Sequence, residues 1–177
     1  EIAAKIEKNH DVAQALWKEN IREWKILAGL LQPVETFYPE IADIWVEDMH
    51  YPEIADVTCM NLFQHLPYAS EKAFQWIADE GEYFQYCGYM ILARLLMQGS
   101  EMNERAENEL IDQALAALQS EGALVCRGAS TALRRYASQC PENAEKLLKI
   151  LRPLADSDKS SLNALVEDIK LEAESLH

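Results

Sequence analysis

Glycine and proline are scarce, six of each in 177 residues, and valine and threonine together number only nine. A β-sandwich or barrel draws on β-branched strands and many Gly/Pro turns, so neither fits. Cysteine is scarce as well. The four thiols (Cys59, Cys87, Cys126 and Cys140) are widely spread and form no C-x-x-C pair. Such usage points to core thiols in a reducing cytoplasm rather than to a disulfide framework or a zinc site. Positive charge is in deficit. Sixteen Lys and Arg against thirty Asp and Glu leave a formal charge of −14 and a pI near 4.6. Broad affinity for phosphates comes from cations that release counterions, so a chain wrapping nucleic acid over a wide surface is disfavoured. No apolar run reaches the roughly 18 residues that a bilayer crossing needs. The longest candidate, residues 89–97, is interrupted by Arg94. The histidines show no H-x-x-x-H or H-E-x-x-H spacing, and no Gly-rich phosphate loop or G-x-S-x-G elbow is present. No metal, cofactor or membrane contact is therefore expected. There is no signal peptide, and residue 1 is Glu, so some N-terminal sequence is expected to be missing.

Alanine and leucine are abundant, 45 residues between them, and 49% of the chain is apolar. This is an all-α composition with enough apolar surface for a sizeable core. Punctuation predicts helices ending near residue 8 and spanning 11–19, 21–31, about 38–48, and 52 to near 66. Others follow at 71–80, 82–98, 103–119, 123–139, 142–155 and 160–175. Thr36 and Ser70 read as caps of the helices that follow them, and Gly99 as a terminator. No linker is long enough to separate two domains, so residues 1–177 read as one domain.

Two internal echoes organise this list of helices. The hexapeptide Tyr-Pro-Glu-Ile-Ala-Asp occurs at 38–43 and again at 51–56. Its thirteen-residue period is too short for a solenoid repeat, so it reads as one helix-start chemistry used twice, with Pro near the first helical position. The other echo has a period of forty residues and relates Phe84 to Leu124, Gly88 to Gly128 and Arg94 to Arg134. That period lies in the range where stacked helical hairpins bury a continuous core. Helix 82–98 is apolar nearly all round, whereas 142–155 and 160–175 carry narrower stripes, as expected near an end. The sequence predicts an α-solenoid of antiparallel helix pairs, wound as a right-handed α-α superhelix.

Residues 10–28 (HDVAQALWKENIREWKILA) resemble the DNA alkylation repair family, the AlkD-like DNA glycosylases with HEAT-like repeats. There a segment of the form A-x-x-L-W-x-x-x-I-R-E-x-[RK]-I-L-A stands at the corresponding place. The resemblance continues through Trp45-Val46-Glu47-Asp48, Asn61-Leu62-Phe63, residues 71–76 and Ala132-Leu133-Arg134. It covers nearly the whole chain, with one N-terminal repeat of the family expected to be absent. It implies a concave face that holds duplex DNA and releases 3- or 7-alkylated purines. Such bases are cationic and already good leaving groups. A carboxylate and aromatic faces then suffice to stabilise positive charge developing on the deoxyribose.

Carried over residue by residue, the family's kit is mostly replaced. Its W-x-x-x-D falls on Pro52 to Asp56, so the Asp is kept and the Trp is Pro52. Its phosphate Arg falls on Tyr86, and its second Trp falls on Thr131. Asp56 is thus the candidate catalytic residue, with Tyr51 or Tyr86 as a borrowed aromatic partner. Tyr51 lies five residues from Asp56 and would face elsewhere on a helix unless it sits just outside the first turn. The bland reading of Asp56 is a solvated first-turn Asp. Tyr83, Tyr86 and Tyr89 read as a base platform or, more simply, as packing between helices. Arg127, Arg134 and Arg135 are candidate phosphate contacts, although the same spacing suits an ordinary solvated face. Between residues 26 and 93 a single cation, Lys72, stands against eleven acids. A duplex laid there would meet repulsion. The expected function is a catalytically degenerate scaffold that binds a protein or peptide in the concave groove. The alternatives are an active glycosylase using Asp56 and a DNA-structure binder using the cations of 127–152.

Overall fold

The computed structural model describes residues 7–155 and 160–175. Among them are ten α-helices, two 3₁₀ turns and no strand. The chain forms two compact units, Glu1–Ile91 and Leu92–His177. The first holds α1 (His10–Lys18), α2 (Arg22–Leu31), α3 (Pro39–Glu47), α4 (Pro52–Asn61), α5 (Ala69–Ile77) and most of α6 (Glu82–Met97). The second holds the end of α6, then α7 (Glu104–Gln119), α8 (Ala123–Ala137), α9 (Pro141–Ala155) and α10 (Ser160–Ser175).

Local chemistry accounts for most helix ends. Asn9 caps α1, its Oδ1 accepting from Val12 N at 3.0 Å, and Asn103 caps α7 in the same way through Ala106 N. Pro39 and Pro52 open α3 and α4, so both copies of the hexapeptide start a helix as expected. Gly99 ends α6 at φ +80°, a conformation suited to a residue without Cβ.

Other ends differ from the sequence reading. Thr36 does not cap α3. It closes a 3₁₀ turn, Val34–Thr36, and its Oγ1 accepts from Gln32 Nε2. Ser70 does not cap α5 but lies within it, and the N-cap is Tyr68, whose hydroxyl donates to Phe37 O at 2.5 Å. At Thr36 the competing bond is local, from Gln32, whereas at the start of α5 it is the long-range bond of Tyr68 to Phe37. The helix expected to reach residue 66 stops at Asn61, where Leu62 leaves helical geometry and a 3₁₀ turn, Phe63–His65, follows. Leu66 is then extended, as a residue before proline prefers. Residues 7–9 are not helical. The expected helix over residues 1–6 and the expected break at 156–159 lie outside the described residues.

In the first unit the core is built around a run of aromatic rings. Trp17 stacks on Trp45 with centroids 3.9 Å apart and planes 3° apart. Phe37 meets Trp45 edge-on, Phe63 lies against Phe37, Trp76 against Phe63, and Phe84 against Trp76. One cation is enclosed with them. Lys25 donates to Trp17 O at 2.8 Å and places its ammonium 4.5 Å from the Trp17 ring centroid. Burial lowers the pKa of that ammonium. In the second unit α7 packs on α8, and α8 meets both α9 and α10. The narrow stripes of α9 and α10 are buried as expected, through Leu147, Leu148, Leu151, Leu162, Leu165, Val166 and Ile169.

Gly88 lets α6 approach α5. A Cβ there would lie 2.8 Å from Ala73 O and 2.9 Å from Ile77 N, which are backbone atoms that cannot step aside. Gly88→Ala is expected to destabilise the protein by roughly 1–3 kcal/mol despite the better helix propensity of alanine. Urea denaturation of the two proteins checks this, and an unchanged or raised midpoint contradicts it.

Candidate functional site

Asp56 lies on α4, and Tyr86 reaches it from α6. The Tyr86 hydroxyl donates to Asp56 Oδ1 at 2.5 Å. Two candidates thirty residues apart in the sequence are therefore in direct contact. The Tyr86 ring is buried at 1% exposure, and Tyr89 is buried completely. Of the three tyrosines only Tyr83 is half-buried, so the packing reading describes Tyr86 and Tyr89. Tyr51 is the N-cap of α4, just outside its first turn, and is 55% exposed. Pro52 opens the helix. Behind Tyr86 the chain buries sulfur: Cys87 Sγ lies 3.7 Å from Met49 Sδ, and burial pushes the Cys87 thiol up.

A second carboxylate repeats this arrangement. Asp43 ends the first hexapeptide as Asp56 ends the second. Its oxygens accept from Lys72 Nζ at 2.6 and 2.8 Å and from Trp76 Nε1 at 2.8 Å. Both copies of the hexapeptide thus turn their Asp toward an aromatic donor on a later helix. The sequence signal for Asp43 was the duplication itself, which was read only as a helix start. The contact also answers a question of charge. Lys72, the one cation between residues 26 and 93, is buried against Asp43 and offsets that acid alone.

The arginine candidates belong to α8. Arg127 and Arg135 are exposed. Arg134 pairs with Asp168 of α10 at 3.0 Å. Arg135 lines a cleft of about 750 Å³ within the second unit. Thr131 bonds back to Arg127 O, which commits its hydroxyl to its own helix. Among the described residues, no group of three His, Cys, Asp or Glu side chains is placed to hold a metal ion. No described helix is long and apolar enough to cross a membrane.

The twin carboxylates differ in what they hold. Asp43→Ala strips the counter-ion from an ammonium with 11% exposure and is expected to cost about 3 kcal/mol, the low end for a buried pair because Asp43 itself is 39% exposed. Tyr86→Phe removes one donor to a carboxylate and is expected to cost about 1.5–2 kcal/mol. Denaturant midpoints of the two variants give the order, and a larger loss for Tyr86→Phe would reverse it.

A profile of the DNA alkylation repair enzyme family matches residues 1–162. Among curated proteins no significant match is found. One solved structure is described as a new family of proteins related to the HEAT-like repeat DNA glycosylases with affinity for branched DNA structures. It aligns over 98% of this chain and 77% of its own, with a TM-score of 0.82 and 20% identity. A crystal structure of an engineered protein aligns over 93% of this chain and 79% of its own, at 16% identity and a TM-score of 0.45. The all-α, HEAT-like repeat fold expected from the sequence is the observed fold. With a family match over 162 of its 177 residues, the chain belongs to the DNA alkylation repair enzyme family.

Proposed function

We propose that the chain is a non-excising member of this family that acts as a binding scaffold for a protein or peptide. The observation that carries the reading is the state of Asp56. A carboxylate that stabilises a sugar cation must face that sugar with aromatic faces beside it. Here Asp56 Oδ1 accepts from Tyr86, and the family resemblance sets Tyr86 where a phosphate Arg is expected and Pro52 and Thr131 where two Trp are expected. Of the chain's four indoles, Trp17, Trp45 and Trp76 are buried at 2% exposure or less, and Trp24 of α2 is 41% exposed. One family match runs through both compact units, which supports treating residues 1–177 as one working domain. Four cysteines without disulfides suit a cytoplasmic setting.

A second reading, a DNA-structure binder without chemistry, has its own support. From residue 123 to 155 there are six cations (Arg127, Arg134, Arg135, Lys146, Lys149 and Arg152) and only two acids, Glu142 and Glu145. A structural relative described as having affinity for branched DNA supports nucleic-acid binding in general, and these cations are the ones this chain offers for phosphate contacts.

Methylated duplex DNA tests the chemistry. Release of 3-methyladenine or 7-methylguanine is expected at the spontaneous rate. Release that vanishes in Asp56→Asn would establish the active-glycosylase alternative instead, with Tyr86 or Tyr51 as the aromatic partner. Binding to linear duplex at physiological salt is expected to be about 10⁻⁴ M or weaker. Micromolar binding to a four-way junction that is lost in the Arg127, Arg134, Arg135 triple Ala variant would favour the second reading over the first.

A further inference from the structure

The cleft beside Arg135 has walls of different chemistry. One wall is apolar, with Leu96 and Met97 from the end of α6 and Met102 from the loop after it. Met97 is 60% exposed, unusual for so apolar a side chain. The other wall carries Arg135 of α8, Gln139 of the turn that follows, and Asn143 of α9. Hydrogen bonds fix these walls in place. Gln139 Nε2 donates to Ser100 O at 3.1 Å and Asn143 Nδ2 donates to Tyr136 O at 3.1 Å. Glu107 is held by Lys146 at 2.9 Å and by the Tyr136 hydroxyl at 3.0 Å.

These bonds determine what the cleft can offer a ligand. The Gln139 and Asn143 amides have committed N–H groups, so their carbonyl oxygens remain as acceptors. Arg135 is exposed, and no ion pair or hydrogen bond engages its guanidinium among the described residues. A matching ligand presents an anion to Arg135, an N–H to an amide oxygen, and an apolar group to the thioethers. The charge of that anion is also constrained. Glu101 and Glu107 line the same cleft, and Lys146 already serves Glu107. With Arg135 and Glu101 both lining the cleft, a carboxylate paired bidentately with Arg135 leaves one net negative charge there, whereas a phosphate leaves nearly two and is the poorer fit.

We propose that this cleft binds an α-carboxylate that bears an apolar side chain, as offered by a peptide C-terminus or a free apolar amino acid. The cleft volume of about 750 Å³ lies within the usual range for ligand sites. The site uses none of the residues around Asp56, so it stands whether or not the chain excises bases.

The test is fluorescence polarisation with a labelled peptide, Gly-Ser-Gly-Ser-Ala-Leu, carrying either a free C-terminal carboxylate or an amide. The acid form is expected to bind with a Kd of about 10–100 μM, and the amide about tenfold or more weakly. Arg135→Gln is expected to cost the acid form a similar factor while leaving the thermal unfolding midpoint unchanged, because Arg135 is exposed. Competition with free leucine identifies the source: displacement at sub-millimolar leucine assigns a free amino acid, and its failure assigns a peptide end. Equal binding of acid and amide, binding unaffected by Arg135→Gln, or no binding of either peptide up to about 1 mM would each overturn the proposal.

Discussion

The first compact unit depends on its aromatic run. Trp17, Trp45, Phe37, Phe63, Trp76 and Phe84 touch in sequence, so that α1, α3, α5 and α6 are tied through ring-to-ring contacts as well as through aliphatic packing. Large rings bury much apolar area for each residue ordered, and their edge and face preferences fix orientation. A helical repeat needs this because short helices are marginal alone and gain their stability from packing. Helices α1, α3 and α5 have nine residues each. The arrangement limits chemistry as well. An indole that holds adjacent helices together cannot also stand in solvent beside a substrate.

The duplicated hexapeptide shows how one local sequence can serve two different helix contacts. Two Asp residues thirteen positions apart occupy equivalent places on successive helices. One is joined to Trp76 and Lys72, the other to Tyr86. At Asp43 the contacts join α3 to α5, and at Asp56 they join α4 to α6. A carboxylate accepting from a buried aromatic donor is an economical clamp between helices, since it satisfies the donor without burying both partners fully. Asp56 therefore has a structural reason to be where it is, independent of any sugar cation.

How much was legible follows from the range of each interaction. The all-α class, the proline starts of α3 and α4, the end at Gly99 and the narrow stripes of α9 and α10 all follow from local pattern, and the sequence displays them. Thr36 does not cap because its hydroxyl accepts from Gln32 in a local 3₁₀ turn, and α5 begins one residue before Ser70, with Tyr68 at the N-cap tied to Phe37 O from thirty-one residues away. The Asp56–Tyr86 contact spans thirty residues, so periodicity could not bring the two together. The family resemblance placed both residues at functional positions, but side-chain contact had to come from the structure. The cleft at Arg135 had no sequence signal at all. Its walls come from the end of α6, a loop, α8 and α9, and only packing decides that these meet.

Charge is distributed unevenly along the chain, and burial sharpens the difference. Residues 1–91 hold six cations and sixteen acids, whereas residues 92–177 hold ten cations and fourteen acids. Within the first group Lys25 and Lys72 are buried in internal contacts, and Arg22 is shared by Glu23 and Glu53. Few cations of that unit are therefore left to meet a polyanion. Exposed charges act over about 8 Å at physiological salt, so the sign of a surface is set by its own residues rather than by the net charge of the molecule. A total of −14 consequently does not forbid a nucleic-acid contact. It confines any such contact to a short local excess of cations, and α8 with α9 supplies one. For the first unit the same reasoning runs the other way. Its unneutralised carboxylates favour cationic partners, and a phosphate backbone brought there would lose the counterion release that normally drives binding.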